Sequence, residues 1–194
     1  MQRTSFSDMA CSLARSMDVA GEWWTPLILR DLWLRRNRFD EIQENLGLSR
    51  KLLADRLDTL IREGAVERRL YQERPERYEY VLTEKGKELI EALLVLISWG
   101  DRWRAGKAGL PMLIRHRNCG QTVRAEVTCS CCGEPLKAGD VRLEPGPGFR
   151  HGWGTRPHPR FPLKADAQHK PRPKGASRRR AGEPAKAKAR KVRA

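Results

Sequence analysis

Apolar residues recur at helical spacing through two neighbouring segments in the first third of the chain. In the first, Phe39–Leu46, the apolar side chains fall on one side and Gly47 follows. In the second, residues 48–64, Ser49 suits a helix N-cap and Gly64 a helix end. Two amphipathic helices joined by a glycine turn predict a helix-turn-helix, although the pair is also typical of a plain helical hairpin. The apolar stripe of the second helix, at i, i+4, i+7 and i+8, comprises Leu53, Leu57, Leu60 and Ile61.

The helical period ends after Gly64 and gives way to alternation. Residues 66–71 and 77–82 each place alternate apolar side chains on one face, and the turn-like run 72–76 separates them. A two-stranded ribbon directly after the second helix favours a winged helix over a plain hairpin. Arg74 and Arg77, at the basic tip of this wing, would then reach a phosphate or the minor groove.

The second helix carries the other candidate DNA contacts. Ser49, Arg50 and Lys51 fall at its first turn, and Asp55 lies away from the apolar stripe. Polar side chains in these positions of a recognition helix face base edges and phosphates. The predicted DNA-binding residues are Ser49, Arg50, Lys51, Asp55, Arg56, Arg74 and Arg77.

A further helix is predicted upstream, where Pro26 fits a first turn. Its apolar stripe is heavy enough to centre a core. The adjacent Trp23 and Trp24 are therefore predicted to pack in the core rather than to bind a ligand. The stripe comprises Trp24, Leu27, Ile28 and Leu32.

Residues 83–104 form the last predicted helix, with Thr83 as its N-cap and Glu84 in its first turn. Its apolar surface is wider than one small core can bury, which suggests a second copy as partner. A two-fold dimer would place its recognition helices roughly 34 Å apart, on an inverted-repeat operator. The alternative is a helix that simply closes the domain. The predicted dimer contacts are Leu89, Leu93, Leu96, Ile97 and Trp99.

Two short stretches beyond residue 109 have the spacing of metal-binding knuckles. His116 and Cys119 are separated by two residues, as are Cys129 and Cys132, and each stretch ends in Cys-Gly. Four such ligands suit tetrahedral zinc, and glycine permits the tight turn. A strand is predicted over residues 122–128 between them. Structural zinc would staple so small a module, whereas reduced cysteines packed on the helical domain are the alternative; no other cofactor is expected.

Charge divides the 194 residues further. Residues 156–194 carry +12 of the formal +15, and large apolar residues are almost absent after Leu163. From residue 164 onward the tail is predicted to be disordered and to bind nucleic acid through phosphates, the alternative being a solubilising extension. The expected architecture is mainly α with a small β-ribbon. It comprises a winged helix-turn-helix and dimerisation domain over 1–107, a Cys/His-rich module over 108–148, and a Gly/Pro linker with a basic tail over 149–194.

Several function classes find no support in the sequence. The longest apolar run is far shorter than a membrane span, and no export signal is visible, so a cytoplasmic protein with reduced cysteines is expected. A nucleophile with a partner base, a phosphate loop and a His-x-Glu deaminase element are all missing, so no enzyme is expected.

The ordered blocks of the first hundred residues together resemble the HxlR-type winged helix-turn-helix regulators. The resemblance does not cover the basic tail, and the Cys-rich stretch lies outside the family's core domain. It implies a cytosolic, homodimeric, sequence-specific transcription factor, often responsive to oxidants or reactive electrophiles. The blocks are Cys11 to Arg15, Gly21 with Trp24-Thr25 and Ile28 to Arg30, Arg38 to Ile42, Leu53 to Leu57, Gly64 with Val66 to Arg68, and Pro75 with Arg77, Glu79-Tyr80 and Leu82 to Gly86.

The resemblance also makes Cys11 a candidate sensing thiol, because some relatives carry an oxidant-sensing cysteine at the matching position. Arg15, one turn away, would favour a thiolate. The alternative is a small side chain buried on an apolar face. Two functions follow: a sequence-specific homodimeric regulator of double-stranded DNA, or an architectural nucleic-acid-binding protein dominated by its tail.

Overall fold

The structure, a computed structural model, describes residues 5–152 and 154–155. The basic tail, for which disorder was predicted, lies beyond this range from residue 156 onward. Within the described part, five helices and one two-stranded antiparallel sheet form the winged helix-turn-helix that the sequence predicts. The elements are α1 (Ser12–Ala20), α2 (Thr25–Trp33), α3 (Phe39–Leu46), α4 (Arg50–Arg62), β1 (Val66–Glu73), β2 (Glu76–Leu82) and α5 (Glu84–Arg104).

Gly47 and Ser49, on the two sides of the turn in the helix-turn-helix, end α3 and begin α4 as predicted. Ser49 is the N-cap of α4, and its hydroxyl accepts a hydrogen bond from the Leu52 amide at 3.2 Å. Gly47 ends α3 at a φ of +65°, a left-handed conformation that costs glycine little. These two residues fix the sharp change of direction between α3 and α4.

The wing is longer than the alternation predicted. The ladder runs from Val66 opposite Leu82 to Glu73 opposite Glu76, with an irregularity between Leu70 and Gln72. Backbone pairing therefore continues through most of the run that was predicted as a turn. Only Arg74 and Pro75 remain between the strands.

A third chain segment joins the wing to the helices. The Tyr80 amide donates to the Asn37 carbonyl at 2.8 Å, and Arg38 pairs with Glu79 in an isolated antiparallel bridge. The loop between α2 and α3 therefore lies along β2 like a short third strand. This pairing fixes where the wing lies relative to the first turn of α3.

The hydrophobic core lies where α2, α3, α4, the base of the wing and α5 meet. The two adjacent tryptophans do not belong to it, contrary to the prediction: Trp23 is 90% exposed and Trp24 36% exposed. Both tryptophans precede α2, which begins at Thr25, and the first buried apolar side chain of that helix is Ile28. The core comprises Ile28, Leu29, Leu32, Ile42, Leu48, Leu53, Leu57, Leu60, Ala65, Val66, Leu82 and Ile90.

Asp31 is a fully buried carboxylate among these apolar side chains. Its Oδ1 accepts from Arg30 Nη2 at 2.8 Å, and its Oδ2 accepts from Asn45 Nδ2 at 2.6 Å. A buried charge of this kind is tolerated only with such partners. The contact with Asn45 ties α2 to the last turn of α3.

Helix α5 begins at the predicted cap, because the Thr83 hydroxyl accepts from the Gly86 amide at 3.2 Å. Gly86 lies against the backbone of Ala65: a Cβ at this position would come 2.1 Å from the Ala65 carbonyl oxygen. Glycine is thus required for α5 to pack beside the base of the wing. Across the described residues, no helix combines the length and apolar character that crossing a membrane requires.

Beyond α5, residues 106–152 form turns and hairpins in which every described residue is at least partly exposed. The predicted strand over 122–128 does not form; isolated bridges stand only at Thr122 and Thr128. The Ala125 amide, at the centre of this segment, donates a hydrogen bond to the buried Ser98 hydroxyl of α5 at 2.9 Å. Anchoring of that central residue on α5 interrupts a continuous strand.

Candidate nucleic-acid interface

Four of the predicted DNA contacts lie exposed around the helix-turn-helix and the wing. Arg50 and Lys51 form the start of α4, while Arg74 and Arg77 occupy the tip of the wing. Arg50 and Arg77 line the same open cleft of about 460 Å³, which we call the wing cleft. The structure therefore brings the beginning of the recognition helix and the wing together on one surface. The wing cleft is lined by Arg38, Phe39, Asp40, Glu41, Arg50, Tyr71, Arg77 and Tyr78.

Arg50 is held in place by side chains of α3. Its Nη1 lies 3.1 Å from Asp40 Oδ1 and donates to Gln43 Oε1 at 3.3 Å. Its guanidinium carbon also lies 4.9 Å from the centre of the Phe39 ring. Such contacts restrict the rotamers of an exposed arginine before DNA arrives, which lowers the entropy lost on binding.

Two more arginines stack on aromatic rings of the wing and were missed by the sequence analysis. Arg38 lies 4.8 Å from the ring centre of Tyr71, and Arg68 lies 4.0 Å from that of Tyr78. Arg68 is opposite Tyr80 in the ladder, which makes Tyr78 its diagonal neighbour across the strands. That register was the available signal for the second stack, whereas the first joins two distant segments and had none.

Two tyrosines of β2, Tyr78 and Tyr80, have pKa values raised above the ordinary value of a phenol. The hydrogen bond that the Tyr78 hydroxyl donates to Glu76 Oε2, at 2.8 Å, is the main cause that raises the Tyr78 pKa. Partial burial is the main cause that raises the Tyr80 pKa. The Tyr78 ring therefore attracts Arg68 through its neutral π face and not as a phenolate.

The remaining DNA-contact candidates are placed differently. Ser49 is exposed, but its hydroxyl caps α4, and Asp55 is exposed on the polar face of that helix. Arg56 points away from the wing cleft, because its Nη2 lies 3.0 Å from Glu22 Oε2 before α2. Arg56 thus forms an ion pair that links α4 to the segment before α2.

The predicted dimer residues divide between two environments. Leu89 and Leu93 pack against the core, and Ile97 is half-buried. Leu96 and Trp99 are each 56% exposed, and the exposed apolar surface of α1 includes Leu13 and Met17. The exposed large apolar side chains of α1 and α5 are Leu13, Met17, Leu96, Trp99 and Trp103.

Cys11, the candidate sensing thiol, is the half-buried N-cap of α1. Its carbonyl accepts the Arg15 amide at 3.1 Å. The Arg15 side chain was expected to favour a thiolate, but its Nε donates to the Met9 carbonyl at 2.9 Å. The position of Cys11 at the start of α1 is therefore its distinctive feature.

The four candidate zinc ligands lie in two hairpins that repeat the same hydrogen bonds thirteen residues apart. In the first, the His116 amide donates to the Gln121 carbonyl at 2.9 Å, and the Gly120 amide donates back to the His116 carbonyl at 2.8 Å. In the second, the Cys129 amide donates to the Glu134 carbonyl, and the Gly133 amide donates back to the Cys129 carbonyl. The knuckle geometry is thus formed twice.

Each knuckle brings its own pair of side chains together. His116 Nδ1 lies 3.3 Å from Cys119 Sγ. Backbone amides of Cys132 and Cys131, then the Cys132 thiol, donate to the Cys129 sulfur and lower the Cys129 pKa. Throughout residues 5–152 and 154–155, however, no three histidine, cysteine or acidic side chains gather as a metal site requires. The four-ligand zinc site stays a prediction.

Comparisons with known proteins agree with this architecture. A family model for HxlR-like helix-turn-helix proteins matches residues 19–108. The chain is 41% identical over 139 residues to the uncharacterized HTH-type transcriptional regulator Rv3095 of Mycobacterium tuberculosis (strain ATCC 25618 / H37Rv), covering 72% of this chain and 88% of that protein.

Two solved structures share both the fold and detectable sequence similarity. The crystal structure of PA1607, a candidate transcription factor, has a TM-score of 0.65 and 34% identity, covering 73% of this chain and 99% of that one. PA1374 from Pseudomonas aeruginosa, another candidate transcription factor, has a TM-score of 0.52 and 32% identity, covering 73% and 96%. The chain therefore belongs to the HxlR-like helix-turn-helix family and is a transcriptional regulator of the helix-turn-helix type.

Proposed function

We propose that the protein is a homodimeric, sequence-specific DNA-binding regulator that acts on an inverted-repeat operator. The observation that carries this proposal is the common surface formed by Arg50, at the exposed start of α4, and Arg77 of the wing. In this arrangement α4 enters the major groove while the wing contacts the neighbouring backbone or minor groove. The protein acts on DNA in the cytoplasm and has no catalytic role.

Within α4, different side chains have different tasks. Lys51 is exposed and carries no ion pair within the described residues, so it is available to base edges or phosphates. Asp55, one turn further on, is an acceptor on the same exposed side of the helix and suits a cytosine amino group. Ser49 contributes by capping the helix that presents them.

The partner that completes the molecule is a second copy of the chain. Leu96 and Trp99 on α5 and Leu13 and Met17 on α1 are exposed, and clustered apolar side chains left exposed to water typically mark a protein–protein contact. Pairing these helices across a two-fold axis would bury that surface. It would also set the two α4 helices roughly 34 Å apart, one turn of B-DNA.

The input site we propose is Cys11, with an oxidant or electrophile as the signal. Cys11 begins α1, the helix that carries the exposed Leu13 and Met17. A covalent change at the start of α1 would therefore act on the proposed dimer surface. The altered distance between the recognition helices would then change DNA affinity.

Binding to DNA from upstream of the protein's own gene, compared with scrambled DNA over a salt series, tests the proposal. The full chain and a version that ends at Gly148 are measured side by side. We expect the truncated protein to keep a preference of about a thousandfold or more. If the full chain never discriminates and truncation abolishes binding, the architectural function replaces the regulatory one.

A further inference from the structure

Some of the arginine side chains that line the wing cleft form no ion pair among the described residues. Its two carboxylates have partners: Asp40 pairs with Arg50, and Glu41 accepts the Arg38 amide at 3.1 Å. Arg38 and Arg77 also line the cleft, and neither pairs with a carboxylate in the described part of the chain. Three guanidinium groups and two carboxylates line the wing cleft, so it carries a net charge of +1, and Arg38 and Arg77 are its two exposed guanidinium groups without an ion pair among the described residues.

Arg38 is held by both strands of the wing. Its backbone pairs with Glu79 of β2, and its guanidinium stacks on Tyr71 of β1. Backbone and side chain are thus fixed by the two strands of the wing. A guanidinium held in this way presents its N–H fork to an anion with little further loss of freedom.

The position of the wing cleft identifies the anion. Arg50, the first residue of the recognition helix, forms one wall, and Arg77 of the wing forms another. In the proposed arrangement on DNA, a strand that passes from the major groove filled by α4 to the wing would run between these walls. The group that each nucleotide presents there is its backbone phosphate, for which a planar guanidinium is the best matched side chain.

We infer that the wing cleft is a binding site for a DNA backbone phosphate, which Arg38 and Arg77 bind, and that Arg38 positions the strand between the recognition helix and the wing. The inference rests on the proposed function and adds a residue that the sequence analysis did not select. Because the contact is to a phosphate, it contributes affinity and alignment without base preference.

The salt dependence of DNA binding tests this assignment. The full-length protein is titrated with its upstream DNA and with a scrambled duplex at several salt concentrations, for the natural protein, Arg38→Ala and Arg38→Lys. Arg62→Ala is the matched control, because Arg62 is an exposed arginine at the opposite end of α4. Circular dichroism melts establish that each variant is folded.

For Arg38→Ala we expect affinity for both duplexes to fall by a similar factor. The slope of log K against log salt should become shallower by about 0.9 for each engaged cleft, hence by about twice that for a dimer on two half-sites. Arg38→Lys should retain most of the slope, and Arg62→Ala all of it.

An unchanged salt slope for folded Arg38→Ala would overturn the assignment of a phosphate-binding site. A loss of affinity confined to the upstream DNA would also overturn it, because that result would indicate base recognition instead. Neither result affects the proposed regulatory function as long as the natural protein still prefers its upstream DNA. If the natural protein shows no such preference, the regulatory function fails. A shallower slope for Arg38→Ala on the scrambled duplex would still support the phosphate-binding site.

Discussion

Arg56 Nη2 lies 3.0 Å from Glu22 Oε2, and this ion pair fastens the middle of α4 to the segment before α2. The two side chains are only 19% and 30% exposed. The Arg56 Nε atom is buried and has no hydrogen-bond partner among the described residues. Contact with DNA would require Arg56 to leave this site, so we expect Arg56 to hold the recognition helix in place.

Replacing Arg56 should therefore reduce stability more than DNA binding. We expect Arg56→Ala to lower the free energy of unfolding by about 1 kcal/mol, because Glu22 loses a partly buried partner. Urea denaturation measures this loss, and DNA titration well below the melting temperature should give nearly the natural affinity. Arg50→Ala is the comparison with the opposite pattern, since its exposed side chain should matter for DNA and little for folding. Equal affinity losses in both variants would contradict the assignment.

Asp40 limits the charge that Arg50 can offer to DNA, because the two side chains form an exposed ion pair at 3.1 Å. Asp40→Asn should release the guanidinium and remove a negative charge from the wing cleft. We expect affinity for scrambled DNA at low salt to rise about two- to fivefold, and the gain to vanish at high salt. Asp8→Asn removes the same charge from an exposed position before α1 and should leave affinity unchanged. A gain that persists at high salt would rule out this electrostatic cause.

Gly86 should tolerate no side chain, because a Cβ there would lie 2.1 Å from the Ala65 carbonyl oxygen. Gly86→Ala must push α5 away from the base of the wing, and we expect a loss of roughly 2–4 kcal/mol in the free energy of unfolding. Gly100 lies in the same helix with nothing near its Cβ position, so Gly100→Ala should be neutral or stabilise the fold by up to about 1 kcal/mol. Guanidinium denaturation of both variants makes the comparison, and a harmless Gly86→Ala would refute the close approach.

Leu96 and Trp99 should hold two copies together. A charge at either position would face the partner's apolar surface, so we expect Leu96→Glu to shift the protein from dimer to monomer at micromolar concentration. Sedimentation velocity over a concentration series measures this change. Leu143→Glu is the control, because Leu143 is 87% exposed and lies outside α1 and α5. A natural protein that sediments as a monomer throughout would refute the dimer.

Asp31 should be costly to remove, because Arg30 and Asn45 would lose their buried acceptor. We expect Asp31→Ala to reduce the free energy of unfolding by about 3 kcal/mol or more, and Asn45→Ala by roughly 1 kcal/mol. Thermal melts of the two variants should preserve this order. The reverse order would mean that Asn45 stabilises the α2–α3 contact by some other means.

The features that the sequence predicts well depend on neighbours in the chain. Ser49 caps α4, Gly47 closes the turn and Thr83 caps α5, and each of these contacts spans only a few residues. The apolar period of α4 likewise needs only the geometry of one helix. Capping and periodicity are local rules, so the helix-turn-helix and the start of α5 could be predicted without tertiary structure.

The features that were mispredicted or missed depend on residues far apart in sequence. The Trp23 and Trp24 pair was assigned to the core because Trp24 continues the apolar stripe of α2, yet the start of α2 leaves the pair outside. The contact of Arg38 with Tyr71 and that of Arg56 with Glu22 require the folded arrangement of several elements. No periodicity in one segment encodes such pairs.

The hydrogen bond from the Tyr80 amide to the Asn37 carbonyl has a consequence for how a dimer selects DNA. It joins the wing to the α2–α3 loop and so restricts movement of the wing relative to the helix-turn-helix within one copy. The remaining freedom in a dimer is the distance and angle between its two copies. The dimer would then select operators by the spacing of their half-sites. Insertion of a single base pair between the half-sites should weaken binding even when every base contact is intact. An inducer would need to alter only the arrangement of the two copies to release DNA.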